Sequence, residues 1–350
     1  MKYEDFYSKR RILITGHTGF VGCWMSMVLD YFNADLYGIA LEAEEGALYS
    51  KVKKQLNIHD YICDLRESDK VDEIIKQINP EIVIHVAAYG FVNECFENPK
   101  RAFTSNVMGT VNLFEAIRKN EAVKSVLVVS SDKVYQNKKG ITKHSFMETE
   151  NLGGIDPYSC SKTCEDLVAQ SYFESYLQDK HVKVNIVRPG NILGGGDHIK
   201  SRLLPSMLNS FSEGKAVEIR HPDAIRPWQH ILDAIDAYLS IIHDTYTSEM
   251  SDVGIYNVGP KPEGQMSVGR IAQYMAAKID GAKIVLGERN SAVQEAGYLD
   301  VNIEKIVNTI NWSPKKNMEQ ILDDVFDFWN RNKTEEAFDI CRKQIELFYK

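Results

Sequence analysis

The sequence predicts an α/β protein with a doubly wound parallel sheet and a smaller C-terminal substrate-binding domain. In the first half of the chain, short apolar runs alternate with segments whose apolar residues recur every three or four positions. Strands and helices that alternate in this way form βαβ units with parallel strands. The rhythm changes to a loop-rich region after Asn191. We therefore expect residues 1–190 to form the first domain and 191–350 mainly the second, with part of 227–260 packing back on the first.

The first candidate binding site is a glycine turn near the N-terminus. The apolar strand 11–15 runs into glycines spaced Gly-x-x-Gly-x-x-Gly, and an apolar helical pattern follows. A dinucleotide-binding turn requires this order, because its glycines let the backbone approach a pyrophosphate at the positive end of the helix. A glycine turn without a ligand is the alternative. This Rossmann-type arrangement predicts cofactor contacts from Gly16, Thr18, Gly19, Phe20, Val21 and Gly22.

The end of the second strand bears on the choice of cofactor. Sites of this kind often place an acidic residue there, about 20 residues after the glycines, for the ribose hydroxyls. The strand ends at Leu41-Glu42, and counting leaves open which of the two faces the ribose. No arginine lies there to receive a 2′-phosphate, which favours NAD over NADP.

Two later strand ends supply further cofactor candidates. The strand 61–64 ends in Asp64, an acid suited to the adenine side, and Leu65 follows it. The strand that begins at Ile82 ends in Ala87 and Ala88, whose small side chains let the backbone approach a cofactor.

The apolar run Val126–Val129 predicts a fully buried parallel strand. It ends in Ser130-Ser131-Asp132-Lys133. Because ligands bind just beyond the carboxyl ends of parallel strands, these polar side chains are candidate site residues.

A second pattern follows some two dozen residues later. Asp156-Pro157 predicts a helix start, with an aspartate N-cap and a proline in the first turn. Tyr158 and Lys162 would then share one helix face. A phenol has a pKa near 10, and a nearby ammonium group lowers it. The pattern predicts a tyrosine that takes a proton from a substrate hydroxyl.

Bulk properties exclude several classes of partner. A net charge of −8 and a pI near 5.7 argue against nucleic acid and anionic membranes as partners. The first ten residues are polar, and no apolar run approaches membrane-spanning length, so we expect a cytoplasmic protein.

The six cysteines show no metal-binding pattern, and no metal site is predicted. Cys160 and Cys164, four apart on the expected helix, could form a metal or redox pair. Without further ligands nearby, ordinary packing is the favoured interpretation. Free thiols fit a reducing cytoplasm.

Several motifs together resemble the extended short-chain dehydrogenase/reductases, and within them the CDP-glucose 4,6-dehydratases. The resemblance covers nearly the whole chain. A lysine after Asp132, where related dTDP-sugar dehydratases carry glutamate, is the CDP-type pattern. The most specific segments are residues 15–20, 105–110, 131–135, 156–159, 194–197 and 225–230.

The resemblance implies a reaction in three stages. Tyr158 takes the proton from the sugar C4 hydroxyl while a hydride passes to NAD, and Ser131 and Lys162 orient the hydroxyl and lower the tyrosine pKa. Lys133 then removes the C5 proton and Asp132 protonates the departing C6 hydroxyl. The hydride returns to C6, so the net change is loss of water.

The resemblance also implies binding roles and a homo-oligomer, either a dimer or a tetramer. Besides Tyr158 and Lys162, Asn106 and Arg188 would contact the cofactor. The nucleotide-sugar substrate would contact Asn191, Arg202, Leu203 and Arg226. The product would feed deoxysugar biosynthesis for a bacterial surface polysaccharide such as O-antigen.

Three segments depart from the family pattern, and they lie mostly near the expected sugar. Tyr89–Asn93 replaces Gln-Pro-Leu-Val-Arg, His198 replaces a tryptophan, and Gln294-Glu295-Ala296 replaces His-Glu-Ala. Three alternatives follow: a 4,6-dehydratase for a different nucleotide sugar, a nucleotide-sugar 4-epimerase, and a non-catalytic NAD-binding regulator. An epimerase has no use for an acid at C6, and a regulator would be free to lose the catalytic residues.

Overall fold

A computed structural model describes residues 2–137, 143–249, 252–263, 265–287 and 298–350. Within these ranges the strands are β1 (Arg11–Thr15), β2 (Asp35–Ala40), β3 (Ile58–Ile62), β4 (Ile82–His85), β5 (Ser125–Val129), β6 (Ser145–Phe146), β7 (Lys183–Pro189), β8 (Ile192–Leu193), β9 (Val217–Ile219), β10 (Gln229–His230), β11 (Gly254–Val258), β12 (Ile284–Leu286) and β13 (Asp300–Val301).

The α-helices are α1 (Lys2–Tyr7), α2 (Phe20–Tyr31), α3 (Leu48–Val52), α4 (Ser68–Ile78), α5 (Val92–Glu97), α6 (Pro99–Phe103), α7 (Gly109–Arg118), α8 (Pro157–Tyr172), α9 (Leu203–Ser212), α10 (Ile231–Tyr246), α11 (Val268–Ala276), α12 (Glu304–Ile310), α13 (Met318–Arg331) and α14 (Ala337–Tyr349). A 3₁₀ turn covers Asp132–Val134, and π-helical turns cover Thr104–Met108 and Phe173–Leu177.

The main sheet has seven parallel strands in the order β11-β7-β5-β4-β1-β2-β3. β4 and β5 are buried along their whole length, as their continuous apolar sequences predict. The order reverses between β1 and β4, and ligands bind at this kind of switch point in open α/β sheets. The predicted fold class is confirmed.

Helices cover both faces of this sheet, because each face is apolar. On one face α2, α10 and α14 share a hydrophobic cluster with the strands. On the other face α4, α7 and the C-terminal turn of α8 share a second cluster. This double cover fixes the carboxyl edge of the sheet, where the functional side chains lie.

The second half of the chain contributes to more than one cluster. Helices α9, α11 and α13 form a third apolar cluster with β9. The segment from β10 to β11 returns to the main sheet, where α10 covers one face and β11 pairs with β7. Helix α14 packs against α2 and not on the third cluster. The division at residue 190 stays a prediction.

The described residues show neither a membrane-spanning helix nor a metal-binding cluster. None of their helices combines the length and hydropathy needed to cross a membrane. In the same ranges, no cluster of three or more His, Cys, Asp or Glu side chains could hold a metal ion. Cys160 and Cys164 are half-buried free thiols.

Candidate active site

The segment after β5 forms one side of the site. Ser131 caps the 3₁₀ turn, since its Oγ accepts a hydrogen bond from the Lys133 backbone N–H at 3.2 Å. The same hydroxyl donates to Asp132 Oδ1 at 3.1 Å. This local bonding places the three predicted catalytic side chains of the segment together at the carboxyl end of β5.

Helix α8 forms the other side, and it begins where the sequence predicts. Asp156 is its N-cap and accepts a hydrogen bond from the Ser159 N–H at 2.9 Å, with Pro157 at the first helical position. Tyr158 therefore lies in the first turn, and Lys162 lies one turn further on. Lys162 Nζ donates to the Val129 carbonyl at 2.8 Å, which joins α8 to the end of β5.

Tyr158 projects from α8 towards the segment after β5. Lys133 Nζ is 5.7 Å from the centroid of its ring. Burial raises the pKa of Tyr158 above its usual value, while a hydrogen bond with Ser131 and the charge of Arg202 oppose the rise. Burial therefore outweighs the positive charges in the protein alone, and the Lys162 ammonium is already paired with the Glu165 carboxylate. That Ser131 and Lys162 lower the tyrosine pKa stays a prediction.

Asp132 has the environment of an acid. Its side chain is buried, with 3% of the residue exposed. Burial raises its pKa to about 6, against the opposing effects of Lys133, Ser131 and Arg226. Its Oδ2 forms no hydrogen bond with any residue that the structure describes. A carboxyl group that is partly protonated near neutral pH, with a free oxygen, can donate a proton to a bound molecule.

The glycine turn has the geometry that a pyrophosphate requires. Gly16 adopts a positive φ of 77°, and a Cβ there would lie 2.7 Å from the Ala87 backbone. A Cβ on Gly22 would lie 2.2 Å from the Gly16 carbonyl oxygen. Gly19 caps α2 without a side-chain hydrogen bond, so the N–H groups of Phe20 and Val21 open the helix beside the turn. These features fit a dinucleotide.

The neighbouring strand ends close around this turn. Thr18 Oγ1 donates to the Leu41 carbonyl at 3.0 Å, which ties the turn to the end of β2. Leu41 and Glu42 are both exposed, so the structure also leaves open which one faces the ribose. Ala87 is half-buried and Ala88 is exposed at the end of β4.

Three predicted cofactor residues are engaged with the protein itself. Asn106 is fully buried, accepts from the Tyr89 N–H at 2.6 Å and donates to Ser161 Oγ at 2.8 Å, so it ties the segment after β4 to α8. The Asp64 carboxylate accepts hydrogen bonds from the Arg66 guanidinium at 2.6 and 3.0 Å and from the Arg66 backbone N–H at 2.9 Å, and these bonds hold its pKa below the usual value. Leu65 follows it, and its side chain lies under Gly109.

Arg188 is engaged more completely, and this differs from the prediction that it binds the cofactor. The residue is 1% exposed, and its guanidinium donates to both carboxylate oxygens of Asp166 at 2.8 and 3.2 Å. Its remaining donors reach Tyr135 Oη and the Glu148 carbonyl, each at 3.1 Å. A buried guanidinium whose donors are used in this way supports the fold, so we assign Arg188 to the structure and not to the cofactor.

The predicted substrate residues all belong to the second half of the chain, after β7. Asn191 is half-buried, and its Oδ1 has no hydrogen-bond partner among the described residues. Arg202 precedes Leu203, the first residue of α9, and donates to Asp197 Oδ2 at 3.0 Å. The charge of Arg202 acts on Tyr158, and that of Arg226 acts on Asp132. Both arginines therefore border the catalytic groups and give an acidic chain a local basic pocket.

Two of the segments that depart from the family pattern have contacts in the structure, and one of these contacts reaches Arg202 at the pocket. The Tyr89 ring stacks against Arg101, with 4.7 Å from the guanidinium carbon to the centroid, and Phe91 stacks against Arg202 at 5.6 Å. His198 Nε2 lies 3.2 Å from a Glu44 carboxylate oxygen. Gln294-Glu295-Ala296 lies outside the described residues.

Sequence reasoning did not single out Glu165, which contacts Lys162 in the site. Its Oε1 lies 2.6 Å from Lys162 Nζ, and both side chains are buried. The spacing could have indicated this contact, because residues three apart on a helix lie on one face and Glu165 is three residues after Lys162.

Comparison with known proteins agrees with this geometry. Residues 12–259 match the NAD dependent epimerase/dehydratase family. The chain belongs to this family. It is therefore an NAD-dependent enzyme, and the recognition of an extended short-chain dehydrogenase/reductase is confirmed.

Individual relatives divide between two reaction types. The chain is 35% identical to a CDP-glucose 4,6-dehydratase of Salmonella typhimurium, over 91% of this chain and 90% of that protein. It is 24% identical to a UDP-glucose 4-epimerase of Pisum sativum, over 93% and 97%.

Solved structures show the same fold. A UDP-glucose 4-epimerase of Thermotoga maritima, solved with UDP-glucose, superposes with a TM-score of 0.78 at 19% identity, over 92% of this chain and 99% of that one. A dTDP-glucose 4,6-dehydratase of Bacillus anthracis, solved with NAD, gives 0.73 at 22% identity, over 94% and 99%.

Burial of Asp132 predicts a pH-dependent cost in stability. Its pKa in the folded protein, about 6, lies above the ordinary 3.8, so its stability contribution is complete below about pH 4 and is lost as the pH rises through 6. The two-unit difference corresponds to about 3 kcal/mol. Asp132→Asn should therefore gain about 3 kcal/mol in free energy of unfolding relative to wild type between about pH 4 and pH 8.

Denaturant titrations of both proteins at the two pH values measure this difference. Asp280→Asn, at an exposed aspartate after α11, is the matched control and should show no such gain. A constant difference between wild type and Asp132→Asn across the pH range would contradict the buried, proton-binding Asp132.

The structural assignment of Arg188 predicts a separate outcome. Arg188→Met leaves the buried Asp166 carboxylate unpaired and should lower the free energy of unfolding by about 3–5 kcal/mol. The double variant Arg188→Met/Asp166→Leu should recover most of this loss. NAD affinity, measured by quenching of tryptophan fluorescence, should stay within about twofold of wild type. A tenfold loss of NAD affinity in the folded double variant would restore the cofactor role.

Proposed function

We propose that this enzyme removes water from a nucleotide sugar, with CDP-glucose as substrate and CDP-4-dehydro-6-deoxyglucose as product. The observation that carries the proposal is the buried Asp132 carboxyl next to Lys133 and Tyr158. Its pKa is raised to about 6, and one of its oxygens has no hydrogen-bond partner among the described residues. Oxidation at C4 needs only a base. An acid and a second base at the same place serve an elimination.

The first stage uses the tyrosine. Tyr158 accepts the proton of the C4 hydroxyl, and the Ser131 hydroxyl orients that group by hydrogen bonding. The glycine turn from Gly16 to Gly22 would hold NAD, which would supply a hydride acceptor for C4 and a hydride donor for C6. Lys162, anchored on the Val129 carbonyl, lies one helical turn from Tyr158, and its ammonium favours the deprotonated tyrosine as far as the Glu165 carboxylate leaves its charge uncompensated.

The second stage uses the segment after β5. The ketone at C4 acidifies the C5 proton, which the Lys133 amine removes. Asp132 gives its proton to the C6 oxygen, which leaves as water. Return of the hydride to C6 and of the proton to C5 completes the balance, and the sum is loss of one water molecule.

Arg202 and Arg226, the two arginines at the pocket, bind the diphosphate in this proposal. Arg202 and Arg226 lie within electrostatic range of Tyr158 and Asp132, respectively. A guanidinium suits phosphate oxygens because its donors form a rigid fork. Leu203 follows Arg202 in the chain, and the Asn191 carbonyl accepts a hydrogen bond from the Gln229 N–H at 2.8 Å, three residues after Arg226. We assign Leu203 and Asn191 contacts with the nucleotide and the sugar.

A 4-epimerase is the second candidate, because the chain superposes well on an enzyme of that class and shares its fold. An epimerase needs Tyr158 and the cofactor turn but no acid near C6. The unpartnered Asp132 oxygen favours the dehydratase. The 4-dehydro-6-deoxy product would serve deoxysugar biosynthesis, and O-antigen is the destination that we propose.

Product mass distinguishes the candidates directly. We expect the pure enzyme with NAD to convert CDP-glucose to a product lighter by one water, with little reaction on dTDP-, GDP- or UDP-glucose. Water loss from a different nucleotide sugar would keep the reaction and reject the substrate. A product of unchanged mass with a new configuration by NMR would make the enzyme an epimerase.

Two single variants separate the stages. Tyr158→Phe should lower kcat by about 10²-fold or more, since it removes the proton acceptor of the first stage. Asp132→Asn should stop water loss but still oxidise C4, so NADH absorbance should rise and persist after mixing with substrate. Normal water loss by Asp132→Asn would reject its role as the acid, and NAD binding by both variants serves as the control for folding.

A further inference from the structure

Lys162 does not present a free ammonium group to Tyr158. Its Nζ donates to Glu165 Oε1 at 2.6 Å and to the Val129 carbonyl at 2.8 Å. Lys162 is 1% exposed and Glu165 is 0% exposed. The two side chains therefore form an ion pair inside the protein, at the point where α8 meets β5.

The pair changes the charge that the tyrosine experiences. An ammonium with an ionised carboxylate at 2.6 Å has almost no net charge at a distance, whereas an ammonium alone favours a nearby phenolate. The Glu165 charge raises the pKa of Tyr158. Glu165 thus works against the effect expected of Lys162.

We propose that Glu165 is a positioning residue that holds the Lys162 ammonium in place and offsets its charge at the Tyr158 hydroxyl. Glu165 touches neither substrate nor cofactor in this proposal, because its carboxylate lies behind Lys162 on the inner side of α8. Its second oxygen, Oε2, has no hydrogen-bond partner among the described residues. Asp166 on the same helix differs, because both of its carboxylate oxygens accept hydrogen bonds.

The protonation of Glu165 is itself adjustable. Burial raises its pKa, and the Lys162 charge opposes the rise. When Glu165 binds a proton, it no longer offsets the charge of Lys162, and Tyr158 is more easily deprotonated. Glu165 would in this way moderate the base of the reaction as the pH changes.

Other charged groups reach this region from neighbouring strands and from α9. From β4, His85 has its pKa lowered to about 3 by burial and by Lys162, so it is neutral at working pH. From β7, Arg188 is paired with Asp166 on α8. Arg202 approaches Tyr158 from the start of α9. Of these neighbours, Asp132, after β5, titrates near neutral pH and must be removed in the test.

The test rests on the proposed role of Tyr158 and uses the NAD-saturated Asp132→Asn enzyme as background. In it, Glu165→Gln removes the charge but keeps an oxygen that can accept from Lys162. We expect the tyrosinate absorbance of Tyr158, obtained by subtracting the matching Tyr158→Phe variant, to appear about one pH unit lower. The acid limb of the rate of NADH formation with CDP-glucose should shift by the same amount.

Two further variants complete the design. Glu174→Gln, an exposed glutamate on the π-helical turn after α8, is the matched control and should shift neither curve. Glu165→Asp keeps the charge but withdraws it from Lys162, so a smaller shift in the same direction is expected. This variant tests the proposal if Glu165→Gln does not fold.

The outcomes separate the proposal from the proposed function. A tyrosinate transition that stays in place, or moves to higher pH, overturns the role of Glu165, even if the rate falls. A tyrosinate transition that moves to lower pH supports the role of Glu165. This holds even when no nucleotide sugar reacts, because the absorbance is measured without substrate. Failure of the dehydratase assay alone rejects only the function.

Discussion

The hydrogen bond from Lys162 Nζ to the Val129 carbonyl is the contact on which the site depends. It joins the first turns of α8 to the carboxyl end of β5, so the tyrosine on the helix faces the Ser131–Lys133 segment that follows the strand. The double cover of the sheet keeps both elements fixed, because each is buried against a hydrophobic cluster. The catalytic geometry is thus a consequence of how one helix packs on one strand end.

That packing places several ionisable groups where water cannot reach them. Asp132 and Glu165 both have raised pKa values because burial disfavours their charged forms. Such groups lower the stability of the fold at neutral pH, and a proton can be exchanged there for the same reason. Asp166 shows the contrasting arrangement, since the Arg188 guanidinium satisfies its charge and its pair only supports the structure.

Sequence patterns predicted the features that depend on local spacing. The start of α8 at Asp156-Pro157, the shared face of Tyr158 and Lys162, and the order of strands and helices follow from capping and periodicity. Features that depend on tertiary contacts were missed. Arg188 pairs with Asp166, which is 22 residues away in the chain, and no local sequence pattern indicates that this guanidinium is buried. The raised pKa of Tyr158 depends on burial, and the return of α14 to α2 depends on packing between distant faces.

In the proposed reaction, one active site oxidises C4 and reduces C6 of the same sugar. Deuterium placed at C4 of CDP-glucose follows this transfer directly. We expect a product lighter by one water that carries the deuterium in its C6 methyl group. Deuterium that remains at C4 of a stereoisomer of unchanged mass would contradict it, because the hydride would then have returned to the carbon that it left.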